Sequence, residues 1–364
     1  MQCCEKNTDA SRPDPAIILE PFTLLLSMSN KNIAVIGAGH LGRIHAKLLK
    51  TIEGVSPFVV ESQQAAREFV ESEFQIPTYE SLADVATDLD GAIVVTPTQT
   101  HYDIASQLIE DGVHVFVEKP ICADSRQSRS LCELAERNGM VLQVGHVERF
   151  NPAFVAGREH LQQVKFIEST RYTPFTFRAT DVSVVLDLMI HDIDLVLSVM
   201  KSEVTHVSAT GTTTIGPHHD TAVAWLDFAS GAKACLKASR VSPDANRSMN
   251  CTLDRGQVNI NFAAQSVHCM EPVEQVSQQL DALTHDEKMV AKEEMFDKWL
   301  PVREIEVVAQ NAILEEQKEF VQCIRDEQFP SVSGRDGLAA VEVAEQILAA
   351  MGQGQIADKA RSAA

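Results

Sequence analysis

The 364-residue sequence has no basic surplus: 31 lysines and arginines stand against 51 aspartates and glutamates, a net charge of −20. A chain that grips a nucleic-acid backbone or docks on anionic lipid needs the opposite balance, so both partner classes are excluded. Nor does any apolar run approach the roughly 18 residues of a membrane-spanning helix. The best candidate, Ala16 to Met28, is broken by Glu20-Pro21 and has no basic flank, which makes it a poor secretory signal. No two cysteines have CxxC spacing. Cys3, Cys4, Cys122, Cys132, Cys235, Cys251, Cys269 and Cys323 are scattered, the pattern of reduced thiols in a cytoplasmic protein and not of a disulfide framework. The chain has no internal repeat and no strong low-complexity tract.

What is present describes a globular chain. Hydrophobic residues make up 45% and charged residues 23%, close to ordinary soluble proteins, and the length suits two domains. From Ile33-Ala34-Val35-Ile36 to Val141-Leu142-Gln143-Val144, short apolar runs alternate with helical periodicities. The intervening runs lie at 58–60, 91–95 and 113–117. Continuous apolar strands separated by helices predict right-handed βαβ units and an α/β, doubly wound parallel sheet. After Arg149 the pattern changes. Asn151-Pro152 supplies an N-cap and a first-turn proline. Half-polar alternation over 165–172, 205–214, 222–228, 232–238 and 258–262 then predicts an α+β region with an open, mainly antiparallel sheet. Helices are expected over 182–200, 312–326 and 335–351, and the acidic stretch 271–298 reads as a mobile excursion.

Gly37-Ala38-Gly39-His40-Leu41-Gly42 joins the first run to the first helical stretch, the setting in which G-x-G-x-x-G has physical meaning. The first glycine permits the tight turn, the second lets a pyrophosphate approach the backbone, and the third allows close helix–strand packing. Unpaired N–H groups at the helix start then receive the phosphates. Glu61 ends the second run, about 20 positions on, where a carboxylate grips the adenosine ribose and repels a 2′-phosphate; this favours NAD over NADP. Thr96-Pro97-Thr98 and His101 follow the run at 91–95. Their polar groups suit ribose or nicotinamide, and they equally suit turn chemistry with Thr100 capping the next helix. Glu118-Lys119-Pro120 ends the following run. A lysine at the carboxyl end of a parallel strand lies near the ligand crevice, where its charge lowers the pKa of a substrate hydroxyl. Taken alone it reads as a solvated side chain.

Asp187, His191 and Asp194 stand at i, i+4 and i+7 of a largely apolar helix, on one face. Carboxylates flanking an imidazole there are costly to bury without reason. A histidine oriented by a carboxylate is the natural general base near neutral pH. His218-His219 and Cys269 lack ligand-like spacing, so no metal is expected.

Together, the glycine loop at 37–42, Thr96-Pro97 with His101, Glu118-Lys119-Pro120, and Asp187 with His191 resemble the Gfo/Idh/MocA oxidoreductase family, from about Asn32 to Gln353. The resemblance implies a Rossmann domain followed by an open sheet that often forms the interface of a homodimer or homotetramer. It implies NAD(P)-dependent oxidation of a sugar or cyclitol hydroxyl. Lys119 would hold that hydroxyl beside the nicotinamide, His191 would take its proton, and Asp187 would tune or position the base. NAD would contact Gly37, Gly39, His40, Leu41, Gly42, Glu61, Thr96, Pro97, Thr98, His101, Glu118 and Lys119. Within the family, the runs 144–152 and 186–194 are similar to members acting on nucleotide-linked amino sugars. That implies oxidation at C3 of a UDP-linked N-acetylhexosamine (UDP-GlcNAc), feeding an aminotransferase in diamino-sugar lipid A or surface polysaccharide synthesis.

A diphosphate substrate in so acidic a protein needs local cations. Arg149, Arg171, Arg178 and Arg240, with Asn151 beside them, are the candidates, and each arginine also fits a structural salt bridge. The rival readings are a dehydrogenase of a free sugar or inositol and a non-catalytic NAD or sugar sensor. The expected organisation is a disordered or mis-started extension at 1–30 with a start at Met28, an NAD-binding domain at 31–149, and a substrate-binding and oligomerisation domain at 150–364.

Overall fold

The computed structural model describes residues 30–352, apart from 178, 180, 181 and 275. The extension with its start at Met28, Cys3, Cys4 and Arg178 lie outside the described residues. The first part runs β1 (Lys31–Ile36), α1 (His40–Leu49), β2 (Val55–Val60), α2 (Gln64–Phe74), β3 (Thr78–Tyr79), β4 (Gly91–Val94), α3 (His101–Glu110), β5 (His114–Glu118), α4 (Ser125–Asn138) and β6 (Leu142–Gly145). The six strands lie in the order β3-β2-β1-β4-β5-β6, and every pairing is parallel. This is the Rossmann sheet expected from the sequence. The strand order reverses between β1 and β4, opening a crevice over their carboxyl ends. Helix α4 shows how locally some bounds are written: the Asp124 carboxylate accepts from Gln127 N, and Gly139 ends the helix in the left-handed region at φ 67°.

The second part runs α5 (Pro152–Gly157), β7 (Val164–Tyr172), α6 (Ile190–Met200), β8 (Val204–Thr212), β9 (Thr221–Phe228), β10 (Lys233–Ser239), β11 (Asn246–Leu253), β12 (Gln257–Asn261), β13 (Ser266–Met270), α7 (Val276–Asp281), α8 (His285–Glu293), β14 (Val302–Ile305), α9 (Ala312–Asp326) and α10 (Gly334–Ala350). Its eight strands are ordered β14-β13-β12-β11-β7-β10-β9-β8. All neighbours are antiparallel except β7 and β10. The stretch 271–298, expected to be an excursion, has regular structure. It carries α7 and α8, and α8 is opened by a capping box in which Thr284 and Glu287 satisfy each other's backbone N–H.

Alternate residues of each parallel strand face opposite layers. Ile33 and Val35 belong to one layer with residues of α1 and α2, and Ala34 and Ile36 to the other with residues of α3 and α4. The local crossovers do not complete either layer. Helix α9 returns to the first, where Phe320 and Ile324 pack with Ile33, Ile93 and Phe116. Gly91 lets α9 sit flush, since a Cβ there would lie 2.8 Å from Ile324 and 3.2 Å from Phe320. Helix α10 joins α4 on the opposite layer, and Gln143 of β6 bridges to Ser333 just before it. Among the described residues, no helix is long and apolar enough to cross a membrane.

Because Phe320 is fully buried between sheet and helix, Phe320→Ala is expected to destabilise the protein by about 3–5 kcal/mol. Urea unfolding followed by circular dichroism measures this; a loss below about 1 kcal/mol would show that α9 is not part of the core.

Candidate active site

The crevice begins at the glycine loop. Gly37 has φ +103°, and a Cβ there would stand 2.9 Å from Val95 O; one on Gly42 would stand 2.0 Å from Gly37 O. The tight turn and the close helix approach thus both demand glycine. Gly39 differs, because a Cβ there meets nothing within 4 Å. It is also the N-cap of α1 and supplies no side-chain cap, so the helix start faces open space with its N–H groups uncovered by its own side chain. That cradle fits a pyrophosphate. His40 is exposed and Leu41 half-buried on the first turn behind it. Glu61, at the end of β2, accepts from Ala38 N at 2.7 Å and Gln63 N at 2.9 Å. Burial alone would raise its carboxyl, but these hydrogen bonds hold it below the usual carboxylate range. An ionised carboxylate therefore sits beside the loop, where ribose hydroxyls would be gripped.

Beyond β4, the Thr100 hydroxyl lies 2.7 Å from Thr96 Oγ1 and 2.8 Å from Pro97 O. It closes the Thr96-Pro97-Thr98 loop and does not cap α3. His101 is buried with Nδ1 2.9 Å from Pro120 O and Nε2 2.8 Å from Thr96 O. It ties the β4 loop to the β5 loop. Glu118 is likewise turned inward, with Oε1 2.8 Å from His45 Nε2 and Oε2 accepting from Lys119 N at 3.2 Å. At these two positions, expected against the cofactor, the polar groups meet protein partners. Both polar groups are buried and satisfied on the protein itself, so they support the crevice from beneath.

Lys119 points the other way, and the Lys119–Pro120 bond is cis. Its Nζ donates to Asp187 O at 2.6 Å and lies 3.8 Å from Asp187 Oδ1. Asp187 occupies a π-helical turn, Val185–Met189, directly before α6; such turns are frequent at functional sites. His191 stands one residue into α6, half-buried, with Nδ1 sealed from solvent and without a partner among the described residues. Burial first, then the positive charges of Lys119 and Arg171, push it well below the ordinary histidine range. The imidazole is therefore neutral at physiological pH and able to accept a proton. Lys119, Asp187 and His191, from opposite ends of the fold, meet in one place.

His146 joins them unforeseen. It follows β6 as Lys119 follows β5, it is 1% exposed, and neither ring nitrogen has a partner among the described residues. Burial lowers its pKa, opposed by Asp194. The positional logic that singled out Lys119 would have found it.

The arginine expectations need correction. Arg149 binds Asp194 through Nε and Nη2 at 2.7 and 2.8 Å. Asp194 is thus the counter-ion of a guanidinium and not a partner designed for His191. Arg171 is buried between Asp192, at 3.0 and 2.9 Å, and Glu148 at 2.6 Å. Arg240 is buried on Asp220 at 2.8 Å, with the carbonyls of Ala179 and Val182 at 2.7 and 2.9 Å. Each of the three is thus paired with carboxylates, and Arg240 Nη2 alone of these groups is buried without a partner among the described residues. Asn151 caps α5 through Ala153 N and donates to Glu148. Arg247, on the weakly patterned strand β11, is 48% exposed, 3.8 Å from Glu148, and contributes to the field at His191.

His146 and His191 are neutral in the folded state with pKa values below the 6.5 of the free side chain. Below about pH 6.5 the unfolded chain binds more protons, so stability falls as pH falls. The urea midpoint is expected to drop between about pH 7.5 and pH 5.5, and His146→Gln to drop less. Identical slopes in both proteins would show that His146 is not held neutral.

Comparison with known proteins agrees with this construction. Residues 31–146 match the oxidoreductase family with an NAD-binding Rossmann fold named for Gfo, Idh and MocA, and residues 158–259 match its C-terminal domain. UDP-N-acetylglucosamine 3-dehydrogenase of Acidithiobacillus ferrooxidans is 32% identical over 246 residues, 66% of this chain and 77% of that protein. Its solved structure superposes with a TM-score of 0.76 at 27% identity, over 88% of this chain and 97% of that one. The NAD(+)-dependent scyllo-inositol 2-dehydrogenase of Bacillus subtilis is 31% identical over 232 residues, 58% of this chain and 67% of that protein. With a glycine cradle, an ionised Glu61, and matches across both sheets, the chain belongs to the Gfo/Idh/MocA family of NAD-binding oxidoreductases.

Proposed function

We propose that this protein oxidises the 3-hydroxyl of a UDP-linked N-acetylhexosamine, UDP-GlcNAc, to the 3-keto sugar with NAD. The observation that carries the chemistry is the meeting of Lys119, Asp187 and His191 at the crevice. Bound NAD supplies the hydride acceptor. Asp187 O fixes Lys119 Nζ, and the ammonium charge favours the alkoxide form of the sugar hydroxyl. Neutral His191 receives the hydroxyl proton while the carbinol C–H leaves as hydride, so the carbon gains its carbonyl bond without a stray charge. A sensor would have no use for these three groups together.

The substrate rests on likeness to the Acidithiobacillus enzyme named above. Uridine diphosphate would supply binding energy remote from C3, orienting the sugar, and Arg247 is the half-exposed cation suited to it. The 3-keto product is what an aminotransferase would consume. Trp225, 47% exposed and stacked on Phe166 at 5.9 Å on the second sheet, supports assembly of like chains through that sheet as a homodimer or homotetramer.

Absorbance at the reduced-nicotinamide band should rise with UDP-GlcNAc and stay flat with free N-acetylglucosamine and with myo-inositol. A rise with inositol alone would keep the chemistry and reject the substrate. Lys119→Ala and His191→Ala should retain NAD affinity yet lose at least about 100-fold in turnover; normal rates in both would reject the mechanism. Arg247→Ala should raise KM for the nucleotide sugar with kcat nearly unchanged.

A further inference from the structure

Beneath the catalytic strand, three ligating side chains converge from distant parts of the chain. His45 on α1, Glu118 at the end of β5 and Glu316 on α9 bring a ring nitrogen and two carboxylate oxygens within 4.8 Å of one another. Their exposures are 0%, 8% and 0%. The expectation of no metal came from local spacing, and spacing is blind to a set assembled from three elements.

Glu316 is the decisive member. Both its oxygens are sealed from solvent and without a hydrogen-bond partner among the described residues. A buried carboxylate beside a second carboxylate needs a positive guest or a proton. Glu118 is already engaged by His45 Nε2 at 2.8 Å. The backbone of β6 walls the pocket, since a Cβ on Gly145 would stand 2.8 Å from the Glu118 carboxylate. Two glutamine amides frame the cluster. Gln317 Nε2 lies 2.8 Å from His45 Nδ1 and donates to His45 O at 3.0 Å, while Gln143 Nε2 donates to Glu316 O at 2.8 Å.

We propose that His45, Glu118 and Glu316 bind a divalent cation of the zinc or manganese class, as a structural site that fastens α9 to α1 and to the underside of β5. One imidazole and two carboxylates form a three-ligand set for such ions, and their two negative charges balance the cation. Coordination through Nε2 moves the neutral ring's proton to Nδ1. The Gln317 carboxamide, turned end for end, then receives that proton with Oε1, which is buried and without a partner before loading. A proton held by Glu316 is released as the cation enters. The site lies behind the crevice and takes no part in the hydride transfer.

The test uses the full chain purified without chelator. Metal content is read by atomic emission, and thermal unfolding is followed after chelator dialysis, with and without zinc chloride or manganese chloride. One cation per chain is expected, with Tm restored on re-addition to the wild type and no such response in Glu316→Gln or His45→Ala. Glu316→Gln is the critical variant, because glutamine is isosteric with a neutral carboxylic acid. If Glu316 merely holds a proton, Glu316→Gln will match the wild-type Tm and the wild type will bind neither ion. That result overturns the site, and so does equal metal uptake by wild type and both variants. NAD affinity of Glu316→Gln, expected unchanged, reports that the variant is folded.

Discussion

A parallel sheet must be covered on both faces, and here its own crossovers cover only part of it. That constraint organises the molecule. The uncovered parts of the two faces are filled by α9 and α10, which come from the far end of the chain after the second sheet has been built. The consequence is mechanical. Helix α10 packs on α4 and β6 on one side and on α6 and β8 on the other, so the second sheet cannot swing away from the first without exposing its buried Leu338, Val341, Ala344 and Ile347, at roughly 25 cal/mol for each Å² uncovered. Its helix α6 is thereby held over the β5 end, close enough for Lys119 Nζ to reach Asp187 O at 2.6 Å. The meeting of Lys119 with Asp187 is thus downstream of hydrophobic coverage, and α10 bears on the site through its packing on α6.

What was legible in the sequence is what depends on neighbours in sequence. The glycine loop, Glu61 at a strand end, the caps of α4 and α5, and the bounds of α9 all follow from a few adjacent residues. Lys119 with His191 was legible by likeness, since the residues of each motif are close together even though the two motifs are not. The unread parts are those decided by long-range pairing. Which side of β5 the Glu118 carboxylate takes depends on His45, and whether Arg171 is free or salt-bridged depends on Asp192 and Glu148 around it. Strand β11 escaped because only Met249 and Cys251 of its residues turn inward, too few to beat the noise of a period-two pattern. His146 follows the end of β6 as Lys119 follows the end of β5, so the same positional rule reaches it.

The same long-range pairing explains how a protein with a net charge of −20 makes a positive site. Carboxylates around α6 are spent on guanidinium groups: Asp194 on Arg149, Asp192 and Glu148 on Arg171, Asp220 on Arg240. Each buried pair contributes little net stability, but removing one partner would leave an uncompensated buried charge costing about 3–5 kcal/mol. The pairs therefore act as rigid fixtures that set the height and rotation of α6. With those anions neutralised, the charges felt at His191 are those of Lys119, Arg171 and Arg247, every one of which disfavours a further positive charge. The acidic excess is kept outside, and the imidazole stays neutral in spite of it. A base that is to accept a proton beside a lysine, the role proposed for His191, would need both conditions at once: a fixed cation to stabilise an alkoxide, and enough burial that the base is not already charged when a hydroxyl arrives.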